Sequence, residues 1–484
     1  MFTLNIKNYR SFKDQTFDFS KMNILIGENS SGKSSLIKFF LALKQTFEVP
    51  NNKESNFTLT GEYADLGNYK ETIYYHNEDL PLEFGFTFKD YDSFFRNFLF
   101  LIQNDRNNKE KLEYTKKILS LINPNPQSIN KIEFSLTKEL DKHNRISTLI
   151  TNSHYGNLKI IHKPNSKNNK INTLFGQYCA IEFLYNITGE TFVLEDLTYE
   201  KDGFLSLITS NSLLSSIVKY HNKKMEDYEE DKEFKNDVDR VYYTIAYMLV
   251  SQNYLKFYID KIDYVNPIKT SPNRIYLSKD DKQAQHINDI EDFVNFFSRK
   301  NNNNDKILPD FIKVLNQFGI LNDLEILKDD RLPVRELRVK IKNLLSNISD
   351  VGYGVSLQLP IILKCYLAEV LPERRGSIIF IEQPEVHLHP KLHAKLIETL
   401  FSLSKHTSYF IETHSEHIIR KMQVLVKEKS NKFSPEDVTI HYMIRNEEDT
   451  NVTVHSIEKS GRLNPIFASG FFDNSYILSK ALLD

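Results

Sequence analysis

The residues with the clearest chemistry are Gly27-Glu28-Asn29-Ser30-Ser31-Gly32-Lys33-Ser34, which fit the pattern G-x-x-x-x-G-K-[ST] at every position. Glycines in such a loop let the backbone wrap an anion so that its N–H groups point inward. A helix opening at the second glycine adds the positive end of its dipole. Lys33 would reach the outer phosphates of a nucleoside triphosphate, and the Ser34 hydroxyl would hold Mg²⁺. The expected nucleotide contacts are Gly27, Asn29, Ser31, Gly32, Lys33, Ser34 and Ser35. A plain glycine- and serine-rich turn fits the context less well, because the apolar run "MNILI" precedes the loop and the helical run "IKFFLALKQTF" follows it.

A phosphate loop needs a metal-holding carboxylate at the end of a neighbouring strand. The segment "IIFIEQPEVHLHP" supplies one, since the apolar residues Ile378 to Ile381 run into Glu382. A second apolar strand, "TSYFIETHS", leads to His414, where it could contact a γ-phosphate. These residues resemble ABC-type ATPases of the RecF, SMC and OLD (overcoming lysogenisation defect) kind. There the strand ends in two acids and a proline, and the second acid activates water. Here the second position is Gln383, which cannot accept a proton as a base, and losing a general base costs about 10²- to 10⁴-fold. Either Glu385 does the work, or Gln383 only orients water and hydrolysis is slow. The segment His387-Leu388-His389-Pro390 sits where such ATPases have their D-loop, at the dimer seam. A competing reading gathers His387, His389, His414 and His417 with Glu412 into a metal site, but it leaves the phosphate loop without a role.

"VGYGVSLQLPIIL" (Val351 to Leu363) resembles the signature segment of the same ATPases. In an ABC dimer this element covers the γ-phosphate of the nucleotide on the opposite subunit. That implies donors from Gly352, Gly354 and Ser356 at a helix N-terminus. The related pattern places Gln directly after Ser, whereas here Leu357 intervenes before Gln358. A plain turn and helix cap would use the same residues. A finer resemblance is to bacterial AAA-family ATPases with a short C-terminal domain of unknown function. It rests on "GEYADLGNYKE", "YVNPIKTSPNRIY", "IEQPEVHLHP", "ETHSEH" and "GRLNPIFASGFFD". In that family the Gln of "IEQP" is usual, and the family's "PLR" appears here as Pro267-Ile268-Lys269. The likeness covers roughly residues 1 to 90 and 260 to 484. It implies an ATPase encoded beside a nuclease or other effector in a bacterial anti-phage locus.

The elements that must position these residues are legible from periodicity. "FTLNIK" and "LEFGFTF" alternate as strands do, "TFDF" is placed to pair with the first, and "NILIG" reads as a buried strand. Each of the two strands near Glu382 and His414 is followed by a helix, an order that implies a parallel sheet. "VTIHYMIRN" and "TNVTVHSIEK" read as a closing hairpin. Between "LEFGFTF" and the strand that ends in Glu382, "YDSFFRNFLFLIQN" and "VDRVYYTIAYMLVSQNYLKFYID" predict a large, mostly helical insertion. The expected fold class is α/β, an ABC-type P-loop ATPase head with a mixed sheet plus that insertion. The expected divisions are an N-terminal lobe at 1–90, the insertion at 91–335, a C-terminal lobe at 336–430, and a hairpin and tail at 431–484.

Composition sets the remaining bounds. A chain of 484 residues with 40% hydrophobic content can bury a large core, and a net charge of −2 gives no global field for nucleic acid. The strip "NLKIIHKPNSKNNK" is locally basic but reads first as a solvated loop. The two cysteines, Cys179 and Cys365, lie far apart, as in a reduced cytoplasmic protein, and no apolar run reaches membrane-spanning length. The expected cofactors are ATP and Mg²⁺. The expected partners are a second copy of the chain, or a higher homo-oligomer, and an effector, with a nuclease foremost; DNA or RNA is possible and a membrane is not expected. The alternatives are a DNA repair or recombination ATPase that clamps DNA, and an ATP-binding scaffold with little turnover. An OLD-type nuclease is not expected, because the chain ends too soon after His414 for a C-terminal nuclease domain.

Overall fold

The computed structural model describes residues 2–48, 57–88, 130–138, 144–153, 156–161, 178–180, 198–200, 254–266, 271–277, 287–298, 304–329, 331–428 and 434–467. The chain divides into two compact units. The first comprises Met1–Phe19, Ser30–Asp260 and Ile444–Val452, and the second Ser20–Asn29, Lys261–Met443 and Thr453–Asp484.

The chain opens with strands β1 (Phe2–Tyr9), β2 (Phe12–Asp18) and β3 (Met22–Gly27) and helix α1 (Lys33–Glu48). A short helix α2 (Tyr69–Thr72) and strand β4 (Leu82–Phe88) follow. In the first unit β1 pairs with both β2 and β4, antiparallel in each case. The sheet continues through β5 (Asn130–Lys138), β6 (Asn144–Ser153) and β7 (Gly156–Ile161), in the order β2-β1-β4-β5-β6-β7. Alternation along β1 buries Phe2, Leu4 and Ile6, which is why this strand has one wet and one dry face. The dry face meets α1 through aromatic rings, with Phe39 and Phe84 centred 5.1 Å apart and Phe84 and Phe134 4.9 Å apart. Such pairs add about 0.5–1.5 kcal/mol each beyond the area they bury.

The stretch 91–335 is mixed where it is described, with strands up to residue 200 and helices at 254–260, Ile290–Ser298 and Asn304–Phe318. Up to residue 200 the described residues are all strand, including a small pair, β8 (Tyr178–Ala180) and β9 (Thr198–Glu200). The cause is visible in β5, where Ile132, Phe134 and Leu136 alternate with polar residues and are buried, a period of two. Of the two segments read as helices, Tyr91 to Asn104 lies outside the described residues; the second is described only from 254, and 254–260 is helical.

In the second unit β3 lies at the centre of a sheet ordered β10-β15-β16-β3-β17-β18-β19. The members are β10 (Ile262–Val265), β15 (Ile378–Glu382), β16 (Ser408–Glu412), β17 (Val438–Arg445), β18 (Thr450–Ile457) and β19 (Leu463–Asn464). Neighbours from β10 through β17 run parallel, as the strand–helix order implied. All six residues of β3 are buried, the mark of a strand covered on both faces. A second, smaller sheet joins β11 (Tyr276–Leu277), β12 (Asp323–Lys328), β13 (Val334–Ile341) and β14 (Leu344–Asn347). The helices are α3 (Ile290–Ser298), α4 (Asn304–Phe318), α5 (Tyr353–Val370), α6 (Pro390–Ser402) and α7 (Glu416–Lys427). Helix α5 is buried almost all round from Ser356 to Ala368, so it runs as a core helix. Among the described residues no helix is long and apolar enough to cross a membrane.

Candidate nucleotide site

In the first unit the phosphate loop contributes Ser30 to Ser35. Ser30 and Gly32 have left-handed backbone, at φ +63° and +98°. A Cβ on Gly32 would come 2.8 Å from Phe12 Cζ and 2.9 Å from Ser11 Oγ, so only glycine fits. The Gly32 carbonyl accepts the Leu36 N–H at 3.0 Å, which starts α1. Lys33 is buried, at 4% exposure, where a lysine on an open loop would be solvated. Ser31 and Ser11 are buried too, and their hydroxyls have no hydrogen-bond partner. Buried hydroxyls without partners cost free energy unless a ligand satisfies them, so this loop fits a polyanion. The Ser35 carbonyl accepts the Tyr9 hydroxyl at 3.0 Å, and burial pushes that phenol well above its ordinary pKa.

A cavity of about 480 Å³ adjoins the same loop, lined by Arg10, Ser11, Ser30, Ser35, Tyr75 and Arg445 among others. That volume lies in the range of small-molecule sites. Tyr75 and His76 on its wall both have positive φ, 54° and 55°. Such backbone costs on the order of 1–3 kcal/mol per residue. Outside the loop the wall includes Glu71, the last residue of the segment "GEYADLGNYKE".

The second unit holds the rest of the loop, Gly27, Glu28 and Asn29, at the end of β3. It also holds the carboxylates. Parallel pairing of β15 with β16 sets Glu382 in register with Glu412, both at strand ends and both buried. Two buried carboxylates side by side suit a divalent cation, because each alone would repel the other. The Tyr264 hydroxyl donates to Glu382 Oε1 at 2.7 Å. Burial foremost, then the neighbouring Glu382 and Glu412, raise the Tyr264 phenol far above its ordinary pKa.

Gln383 turns the chain with φ +45°, while its N–H still donates to the Glu412 carbonyl at 2.8 Å. Glu385 lies buried beyond the turn. Its Oε1 accepts the Thr413 hydroxyl at 2.6 Å and the His414 N–H at 2.8 Å, and its buried Oε2 has no partner. The carboxylate after the turn is thus built against the segment that carries His414.

The start of α5 packs on the same turn. Gln358 is fully buried and donates to the Pro384 carbonyl at 2.7 Å, and a Cβ on Gly354 would come 2.5 Å from the His387 carbonyl. Ser356 is buried at 2% exposure, and its hydroxyl donates to Tyr353 O at 2.8 Å within its own first turn. Its hydroxyl is therefore engaged by the backbone of its own helix. The displaced Gln358, one residue beyond its place in the related pattern, is instead a structural link to the carboxylate turn.

The four-histidine reading does not assemble. His389 caps α6, accepting the Lys391 N–H at 3.2 Å, and the His387 ring meets Tyr353 edge-on at 5.1 Å. Among the described residues no group of three or more His, Cys, Asp or Glu is placed to hold a metal. The histidine the motifs overlooked is His393: its Nε2 donates to the Leu388 carbonyl at 3.1 Å, and its Nδ1 lies 2.8 Å from Ser415 Oγ.

Residues 1–419 match the AAA ATPase domain family, and the chain belongs to it. Over 90 residues the chain is 33% identical to the DNA replication and repair protein RecF of Staphylococcus haemolyticus (strain JCSC1435), covering 18% of this chain and 23% of that protein. Over 102 residues it is 33% identical to the Old nuclease of Escherichia phage P2, covering 20% of this chain and 17% of that protein. The chain thus spans less than a quarter of the length of these curated relatives. Over these stretches the chain is similar to RecF and to the Old nuclease, two of the proteins that the motif set resembles. A crystal structure of an Smc head bound to the C-winged helix domain of ScpA aligns with 95% of this chain and 98% of that one, at TM-score 0.43 and 12% identity.

Proposed function

We propose that this member of the AAA ATPase domain family binds ATP with Mg²⁺, hydrolyses it slowly in the cytoplasm, and pairs with a second copy when ATP is bound. In this reading the loop N–H groups and Lys33 hold the phosphates, and Ser34 and Glu382 hold the cation. Mg²⁺, when bound, neutralises charge on the β- and γ-phosphate oxygens. Glu385 takes a proton from water on Oε2, Gln383 orients that water, and His414 faces the γ-phosphate. The observation that carries the reading is Glu385: a buried carboxylate fixed through one oxygen by Thr413 and His414, with its other oxygen unpartnered. A general base needs a fixed position and a lone pair to spare.

The start of α5, with Gly354 and Ser356, is proposed to face the nucleotide of the second copy. The paired heads then control an effector protein, a nuclease foremost, in bacterial anti-phage defence; the chain itself does not cut nucleic acid. This regulatory role rests on the family resemblance. The RecF match favours a second reading, an ATPase that clamps DNA for repair. Light scattering with a slowly hydrolysed ATP analogue tests the pairing. Doubling of mass with the analogue and not with ADP is the expected result, and equal mass in both removes it. Turnover that rises when duplex DNA is added would favour the second reading.

A further inference from the structure

Glu382 is held from one side by Tyr264, the first residue of "YVNPIKTSPNRIY", a segment to which the motifs assign no site residue. β10 lies next to β15, and the parallel register sets Tyr264 opposite Phe380. Phe380 and Glu382 project from the same face of β15, because side chains repeat every second residue along a strand. Tyr264 therefore stands one diagonal step from Glu382, within reach of an aromatic side chain. Its hydroxyl closes that gap at 2.7 Å to Oε1. On the opposite side Glu382 is in register with Glu412, a like charge that can only push it away. The phenol is a neutral donor that gives the carboxylate a fixed point.

Tyr264 is fixed in turn. Lys364, on α5, is fully buried, and its ammonium donates to Asp263 Oδ1 at 2.9 Å, to the Tyr264 carbonyl at 2.7 Å and to Asn288 Oδ1 at 3.3 Å. A buried ammonium is tolerated when oxygens surround it, and here they include β10 at the residue that holds Glu382. The polar chain runs from the helix of the signature segment, through Lys364 and Tyr264, to the carboxylate.

We infer that Tyr264 is a positioning residue for Glu382, holding it in the orientation that receives Mg²⁺, and that Lys364 sets Tyr264 from α5. The inference rests on the ATPase reading. Its test is Tyr264→Phe, which removes one oxygen and keeps the ring. Nucleotide affinity is measured by calorimetry across a Mg²⁺ series and in EDTA, alongside the Mg²⁺ half-saturation of turnover. Affinity in EDTA is expected to stay unchanged, while the Mg²⁺ needed for half-maximal tightening rises about 10- to 100-fold, as when a metal ligand loses its outer partner. On a Glu382→Gln background the same change is expected to add nothing. A Mg²⁺ requirement within about twofold of the unsubstituted chain, against that expected loss, overturns the inference, as does an undiminished shift on the Glu382→Gln background. Should Tyr264→Phe fail to fold, Asp263→Asn is read in the same way. It loosens Lys364 and spares the phenol, so a smaller shift in the same direction is expected, and no shift overturns the inference. Lys33→Ala separates the two failures. If the unsubstituted chain binds nucleotide no better than Lys33→Ala, the ATPase reading fails. If binding needs Lys33 but the Mg²⁺ response ignores Tyr264, only the inference fails.

Discussion

The phosphate loop and the carboxylate cluster are made of different materials. The loop is backbone: its form comes from Ser30 and Gly32 at positive φ, within one short run of chain. The cluster is side chain: Tyr264, Gln358 and Thr413 arrive from different elements and bond Glu382, the Pro384 carbonyl and Glu385 at 2.6–2.7 Å. A backbone site fails at once when a single Cβ intrudes. A side-chain network fails by degrees, and its members fail together.

The largest expected effect is in the loop. Gly32→Ala meets both a positive φ and the close approach of Phe12 and Ser11. It should lose detectable nucleotide binding and destabilise the fold by about 1–3 kcal/mol. Lys33→Ala should lose binding while the melting temperature holds, and titration calorimetry with thermal melts separates the two. If Gly32→Ala bound nucleotide normally, the loop would not be a backbone site.

Next comes the carboxylate turn. Glu385→Gln keeps an acceptor for Thr413 and His414 but removes the base, so turnover should fall about 10²- to 10⁴-fold with nucleotide affinity retained. Gln383→Glu should hold or raise turnover. A fully active Glu385→Gln would assign the base to another group and make the cluster purely structural. The smallest effect is expected from Gly354→Ala, whose new methyl presses on the His387 carbonyl. It should cost about 1–3 kcal/mol in a thermal melt and lower turnover less than Glu385→Gln does. An unchanged melt would mean that α5 and the turn give way independently.

The same contrast explains what was legible in the sequence. The loop, β3, β15 and β16 were readable because their information is local: a glycine spacing, or a run of apolar residues. Glu382 was found by its place at a strand end. Tyr264 was not, because its partner lies 118 residues away and only strand register joins them. Gln358 looked like a misplaced signature glutamine until its bond to Pro384 gave it another purpose. Residue type marks Ser356 as a ligand donor; what type alone does not show is the acceptor that a serine in the first turn of a helix also finds nearby, here the Tyr353 carbonyl. Strands β5 to β7 were missed because amphipathic runs on either side drew the whole stretch toward helix, although β5 itself alternates strictly.

The central place of β3 sets a timetable for biosynthesis. Its two neighbours, β16 and β17, both come from late in the chain, and the Asn23 amide bonds a carbonyl 386 residues further on. At about 5–20 residues per second on the ribosome, β3 waits roughly 20–80 s for its partners. During that wait an apolar strand, "MNILIG", has both edges bare. Such a segment invites pairing with the wrong chain, so the yield of this protein should depend on chaperones that bind early and let go late.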